Sequence, residues 1–235
     1  MSGQSRAQDA LALSRTQRSH LLFVLSGAVA GQEATFLEWY RGPFRRTLLS
    51  SADVLNVQQC EQHEVDISQG AYTPFPLRYL AICELSLDGA QQAEAHIEQI
   101  NTLHRQQPAC HGLATWLYYP IGERVGRSPG QLPSMLTLAF ANGLAGREGE
   151  FREWYVTRHI RHALNIPALV SGQCFQRTQF QLTGALPAAY DIIAIYEQNG
   201  TPESIIESLA SMPKGTLDFP SADWSRFTEW VYRLV

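Results

Sequence analysis

Short apolar runs and longer mixed stretches follow one another along this chain in a regular order. Apolar runs of strand length lie at 20–26 and 135–141, and each is followed by a loop that contains glycine. Helices are predicted over 34–50 and over 149–164, and the second of them has acidic residues at its start and a proline after its end. The other predicted strands are 54–66, 77–85, 114–119, 168–180, 189–197 and 227–234, and the other predicted helices are 89–105 and 201–211. Each half of the chain therefore has the order strand, helix, strand, strand, helix, strand.

The two halves are also similar in sequence. The segment FLEWY at 36–40 returns as FREWY at 151–155, an offset of 115 residues. The match extends upstream, where 20–31 lies over 135–146, and further matches at offset 114 recur downstream and near the end of each half. Four registers within one residue of each other indicate an internal duplication, which determines the architecture of the whole chain.

The element order is that of the ferredoxin-like βαββαβ unit, so the predicted fold class is α+β with two tandem copies of this unit. We expect an N-terminal extension over 1–18, repeat 1 over 19–120, a linker or lid over 121–133, and repeat 2 over 134–235. The first and third strands of each repeat are apolar almost throughout, which requires both faces of each sheet to be covered. The economical arrangement is an intrachain dimeric α+β barrel with a cavity or a packed layer between the sheets. The alternative is two units that pair separately with other chains.

Composition narrows the possible partners. The 235 residues are 45% hydrophobic and 17% charged with a formal net charge of -4, so nothing favours binding to nucleic acid. The apolar run at 21–25 is too short to span a bilayer and lacks the pattern of a signal peptide, so we expect no membrane partner and a cytoplasmic location. Four widely spaced cysteines without a Cys-x-x-Cys pair are expected to be free thiols. A homodimer is left open.

One helix face of repeat 2 carries the candidate catalytic residues. Phe151, Tyr155, His159 and His162 are spaced by four, four and three residues, which places them on one face. An imidazole with a pKa near neutrality suits proton transfer, so His159 is the candidate acid or base. Tyr155 would hydrogen-bond a carbonyl or an oxyanion. The competing interpretation is a structural histidine at a helix–sheet interface, since repeat 1 has Phe44 at the equivalent position.

Four neighbouring residues are candidate substrate contacts. Arg158 and Arg161 flank the helix face and would receive a carboxylate or a phenolate, and His162 would orient His159 or contact substrate. Trp154 is included as a wall of the site, although its match to Trp39 in repeat 1 favours a packing role. No metal is expected, because no third ligand accompanies the two histidines.

The segment FREWYVTRHIR at 151–161, with NIPAL at 165–169, resembles the signature of the EthD-like group of dimeric α+β barrel proteins. In that group an F-x-x-W/Y-Y segment precedes a helix histidine, usually in H-x-P, and a short I-P-G entry to the next strand. This chain departs from the pattern at Arg161, where the group usually has proline, and at Ala168, where it has glycine. The resemblance implies a duplicated member with any activity in repeat 2 only. Relatives include isomerases, dehydratases and cofactor-independent monooxygenases that act on aromatic, lactone or polyketide-like compounds.

These observations together predict a cofactor-independent lyase, dehydratase or isomerase. It would act by acid–base catalysis on a small apolar substrate, aromatic or polyketide-like, with no cofactor. The sequence has no Gly-x-Ser-x-Gly elbow and no phosphate loop, which removes the usual hydrolase, kinase and NAD classes. Two alternatives stay open: a non-catalytic ligand-binding or accessory protein, and a haem-binding variant of the same barrel with His159 or His111 as the axial ligand.

Overall fold

Each half of the chain folds as a βαββαβ unit, as the order of predicted elements requires. The computed structural model describes residues 18–127, 133–179, 190–213 and 215–235, so most of the predicted N-terminal extension and the centre of the predicted linker lie outside the described residues. The strands are β1 His20–Ala28, β2 Val54–Gln62, β3 Tyr79–Leu85, β4 Cys110–Pro120, β5 Val125–Gly126, β6 Met135–Ala141, β7 Leu169–Arg177, β8 Ile192–Gln198 and β9 Thr228–Leu234. The α-helices are α1 Glu33–Trp39, α2 Arg45–Leu49, α3 Ala93–Arg105, α4 Glu148–Trp154, α5 Ile160–Ala163 and α6 Pro202–Ser211.

Eight of the strands close a barrel. The antiparallel order is β4-β1-β3-β2-β9-β6-β8-β7, and β4 pairs with β7 to complete the ring. The two repeats meet at two seams, one where Glu61 pairs with Arg233 and one where Tyr119 pairs with Gln176. At the first seam the Arg233 guanidinium also lies 2.6 Å from the Glu61 carboxylate. The α+β class and the intrachain barrel predicted from the duplication are therefore confirmed.

The described residues of the barrel interior form a packed apolar layer. Alternate residues of the strands point inward and form one apolar cluster that includes Phe23, Ile82, Trp116, Phe140, Ile195 and Trp230. The helices of each repeat cover the outer face of their own sheet and bury a second cluster there. Each sheet therefore buries both faces, which explains why its strands are apolar almost throughout.

One end of the barrel contains buried charges in addition to apolar side chains. Glu84 pairs with Leu21 across β1, and Glu197 pairs with Leu136 across β6, so the two glutamates occupy equivalent positions. Both side chains are at most 1% exposed, and each lies within 3.1 Å of an arginine, Arg18 for Glu84 and Arg124 for Glu197. Buried carboxylates require such partners, so residues before β1 and after β4 complete the barrel end.

A π-helical turn interrupts the first helix of each repeat at the same place. The turns are Tyr40–Phe44 and Tyr155–His159, between α1 and α2 and between α4 and α5. Pro43 lacks an amide hydrogen and therefore interrupts the backbone hydrogen bonds of the helix in repeat 1, but repeat 2 forms the same turn without a proline. The extra residue in such a turn rotates the side chains that follow. In both repeats it brings the last residue of the turn, Phe44 or His159, into the layer between helix and sheet.

Two further observations concern the cysteines and the helices. Cys60, Cys83, Cys110 and Cys174 are free thiols, as predicted. No helix in the described part of the chain is both long and apolar enough to cross a membrane.

Candidate functional site

Repeat 2 contains a cavity of about 180 Å³ between the outer face of its sheet and the layer of helices above it. Four side chains of the sheet form its floor: Thr137 and Ala139 from β6, Tyr196 from β8 and Glu229 from β9. The other lining residues come from the helices, from the start of β7 and the turn before it, from the segment after α6 and from repeat 1: Tyr72, His159, Ala163, Ile166, Leu169, Ile205, Leu209, Leu217, Asp218, Trp224 and Phe227.

Repeat 2 has smaller residues than repeat 1 at two equivalent positions on the cavity wall. Ala139 corresponds to Val24 and Ala163 corresponds to Leu48, each at the offset of 115 residues. Val24 and Leu48 are at most 2% exposed and belong to the apolar cluster under the helices of repeat 1. Replacing a buried Val or Leu by Ala removes carbon atoms that the surrounding structure cannot fully replace. The duplication therefore gives repeat 2 a hollow where repeat 1 has packed side chains.

His159 lines this cavity, but its environment differs from the one expected from the sequence. The residue is 5% exposed, and its ring stacks on Tyr155 with 4.4 Å between centroids and an angle of 15°. Burial, reinforced by the charge of His162, lowers the pKa of His159 from 6.5 to about 4, against a hydrogen bond with the backbone of Leu217. The expected pKa near neutrality is therefore not found, because desolvation outweighs the hydrogen bond. The imidazole is neutral at physiological pH, and its Nδ1 has no hydrogen-bond partner among the described residues.

Glu229 is the cavity residue that the sequence reasoning missed. Burial, reinforced by the negative charge of Asp66, raises its pKa from 4.5 to about 7. The carboxyl group makes no hydrogen bond or ion pair with any described residue, although it lies on the cavity wall. The pKa of this group, rather than that of His159, matches proton transfer at neutral pH. Comparison of the repeats could have identified it, because the equivalent residue at offset 114 is the uncharged Thr115.

Two tyrosine hydroxyl groups near Glu229 have no hydrogen-bond partner within the part of the chain that the structure describes. They belong to Tyr155 and Tyr196, which are 1% and 2% exposed. Burial raises the pKa of both well above 10, and the charge of Glu229 adds to this effect. Tyr196 lines the cavity and its ring lies directly over Gly172, where a Cβ would be 2.7 Å from the ring. Tyr155 lies behind His159 and does not line the cavity. Both hydroxyls stay protonated and are able to donate hydrogen bonds.

The other candidate residues from the sequence lie outside the cavity. Arg158, Arg161 and His162 are exposed and do not line it. Trp154 is 8% exposed and stacks on Phe219 with 4.6 Å between centroids, which is a packing contact. His111 lies in repeat 1, where it packs against Gly27. Of the six predicted site residues, the structure therefore brings His159 to the cavity, with Tyr155 directly behind it.

The lining does not fit a haem group. Pockets for larger organic ligands have volumes of about 300–1,000 Å³, whereas this cavity has about 180 Å³. One face of the His159 ring is covered by Tyr155, and Trp154 lies 4.8 Å from the same ring, so the imidazole is held within an aromatic cluster. Nor do the described residues contain a group of three His, Cys, Asp or Glu side chains that could hold a metal ion. The residues present suit a small organic molecule better than either group.

Comparison with known proteins identifies the architecture. No family model and no curated protein matches the chain. A solved structure of an anthrone oxidase-like protein has 9% identity and a TM-score of 0.53, and the match covers 94% of this chain and 92% of that one. A mutant chlorite dismutase from Candidatus Nitrospira defluvii has 9% identity and a TM-score of 0.55, with 94% and 92% covered. The fold is that of the dimeric α+β barrels. A putative monooxygenase from Fusobacterium nucleatum shares this fold, with 9% identity, a TM-score of 0.51, and 93% and 94% covered.

Proposed function

We propose that repeat 2 is an acid–base site for a small organic molecule, and that Glu229 is the group that exchanges the proton. The observation that carries the proposal is the position of Glu229, which is a carboxyl group without a partner on the wall of an apolar cavity, with a pKa of about 7. Such a group is present in both protonation states near neutral pH, which is the condition for efficient general acid–base catalysis. The structural neighbours named as monooxygenases and chlorite dismutase support small-molecule chemistry for this fold.

The proposed roles follow from the geometry. Glu229 removes a proton from carbon or oxygen of the substrate and returns it at another atom. The Tyr196 hydroxyl donates a hydrogen bond to a carbonyl oxygen or to the oxyanion that develops there. His159, neutral and without a partner at Nδ1, accepts a hydrogen bond and orients the substrate. The reaction class is isomerase, lyase or dehydratase, without a cofactor. The substrate is about the size of one ring, which is what a cavity of about 180 Å³ admits.

The proposal retains part of what the sequence predicted and changes the rest. The EthD-like resemblance stays a proposal, and so do a homodimer and a cytoplasmic location. Catalysis by His159 becomes a positioning role, and Arg158 and Arg161 are no longer needed for substrate binding, because both lie outside the cavity.

A ligand-binding protein without catalysis is the second candidate, since a cavity alone would serve storage. The difference between the repeats favours a specific role for the hollow, because two copies kept only for packing would be filled alike. Binding without catalysis predicts that loss of the Glu229 carboxyl leaves all proton exchange unchanged.

Exchange of solvent deuterium into ketones separates the two candidates. The full chain is incubated in D₂O with monocyclic ketones, and the loss of the proton signal next to the carbonyl is followed by NMR. We expect exchange above the buffer rate that falls by about 100-fold in Glu229→Gln, since general acid–base groups contribute about 10²–10⁴-fold. Thr115→Ser, at the equivalent position of repeat 1, serves as the control and should exchange at the normal rate. Equal rates in the normal chain and in Glu229→Gln would exclude Glu229 as the acid or base.

A further inference from the structure

The charged residues that line the cavity in the described part of the chain are both acidic. Glu229 and Asp218 line it, and Asp66 from repeat 1 acts on Glu229 through its charge. None of the described lining residues is lysine or arginine. An anionic ligand would meet two carboxylates in this lining without a cation to offset them, which disfavours binding. The lining thus favours a neutral or positively charged ligand.

The remaining surface is apolar and partly aromatic. Trp224 lies edge-on to Phe227 with 5.3 Å between centroids, and Tyr72 lies edge-on to the same ring at 5.4 Å. Aliphatic side chains complete the wall: Ile166, Leu169, Ile205, Leu209 and Leu217. Aromatic faces attract cations as well as apolar rings. This surface suits a ligand that combines a ring with a positive charge.

Three polar atoms at the cavity are able to receive hydrogen bonds and have no partner. The Glu229 carboxyl makes no hydrogen bond or ion pair with a described residue, and the Tyr196 hydroxyl and His159 Nδ1 are buried without one. A neutral imidazole has one acceptor nitrogen, and Nδ1 is the His159 ring nitrogen without a partner among the described residues. An ammonium group offers three donors and no acceptor, which matches this set.

We infer that the site takes a small ring-bearing amine, bound as its ammonium ion with Glu229 as the counter-ion and with its ring against the aromatic and aliphatic wall. The inference rests on the site described under the proposed function but not on its chemistry. It gives the ligand the opposite charge from the carboxylate or phenolate expected from the sequence.

Three probes of nearly equal size test the inference: benzylamine, benzyl alcohol and benzoate. Their affinities for the full chain are measured by titration calorimetry at about pH 8. We expect benzylamine to bind at least about tenfold more tightly than benzyl alcohol, which corresponds to one charge-assisted contact, and benzoate to bind more weakly than either. In Glu229→Gln the advantage of the amine should disappear while the alcohol still binds, which shows that the cavity is intact. Glu98→Gln, an exposed carboxylate on α3, is the matched control and should retain the advantage.

Several outcomes would overturn the inference. Benzoate binding as tightly as benzylamine would show that a cation faces the cavity, and its loss in Lys214→Gln would identify that cation, since Lys214 lies outside the described residues. An advantage of the amine that persists in Glu229→Gln would remove Glu229 as the counter-ion. Deuterium exchange measured on the same samples keeps the two proposals separate. Amine selectivity without deuterium exchange supports the inference and contradicts the catalytic proposal. Deuterium exchange without amine selectivity supports the catalytic proposal and contradicts the inference.

Discussion

Replacement of Glu229 by glutamine should change the pH dependence of stability in a defined direction. In the unfolded chain the carboxyl group titrates near 4.5, and in the folded chain its pKa is about 7. Below the lower value both states are protonated and the group contributes nothing. Above about pH 7 both states are ionised, and the folded state has the full cost of a charge that is only partly exposed to water and has no partner among the described residues. The free energy of unfolding therefore falls as the pH rises between these two values.

The magnitude follows from the width of that interval. The difference between 4.5 and about 7 is about 2.5 pH units, and each unit is worth about 1.4 kcal/mol, so the full cost is about 3 kcal/mol. Water that enters the cavity reduces this figure, so it is an upper value. Glu229→Gln removes the titrating group. We therefore expect the free energy of unfolding of the variant, relative to that of the normal chain, to rise by up to about 3 kcal/mol between about pH 5 and pH 8. For a chain of this size that corresponds to a relative Tm shift of roughly 6–12 °C.

The assay is thermal unfolding followed by circular dichroism across that pH range. Glu98→Gln is again the control, and its Tm should follow that of the normal chain at every pH. A constant Tm difference between Glu229→Gln and the normal chain across the range would refute the reasoning. It would mean that the carboxyl group titrates at its ordinary pKa and is well solvated.

Two further predictions concern the barrel end and the cavity wall. Arg124→Met leaves Glu197 buried without its closest cation, and should lower the free energy of unfolding in urea by about 3 kcal/mol. Arg147→Met breaks an exposed ion pair with Glu150, and should lower the same quantity by at most about 1 kcal/mol. Similar losses in both variants would contradict the importance of burial. Ala163→Leu restores the residue that repeat 1 has at Leu48, and should abolish benzyl alcohol binding with a Tm at or above normal. Retained binding would place the ligand elsewhere.

Much of the fold could be predicted from the sequence, because local hydrophobic patterns indicate the order of elements and the two repeats show the same order. The helix predicted over 34–50 forms between Glu33 and Leu49, and the strand predicted over 135–141 has these bounds. The strand predicted over 54–66 ends earlier, at Gln62, because Asp66 accepts hydrogen bonds from the backbone of Ser68 and Gly70 and forms a turn. The π-helical turns were not predicted, since they depend on contacts between helix and sheet.

The site was less accessible to sequence reasoning. Helical spacing identified His159 because a polar residue replaces an aromatic one in a repeated motif. Nothing local marks Ala139 and Ala163 as the walls of a hollow, because alanine is equally common in packed layers. Glu229 lies in a short strand between residues that point into the barrel, and only the assembled sheet and helices show that its carboxyl group faces an enclosed space. Its pKa depends on that enclosure.

Joining the two repeats at both seams within one polypeptide has an evolutionary consequence. In a barrel assembled from two identical subunits, every substitution occurs in both halves, so a cavity opened in one half is opened in the other and its cost in stability is doubled. A single gene for both halves removes that constraint. One half can accumulate bulky side chains and hold the assembly together, while its sibling loses packing and acquires an isolated acid. Specialisation of this kind requires that the two halves be encoded separately, and an internal duplication provides this within one chain.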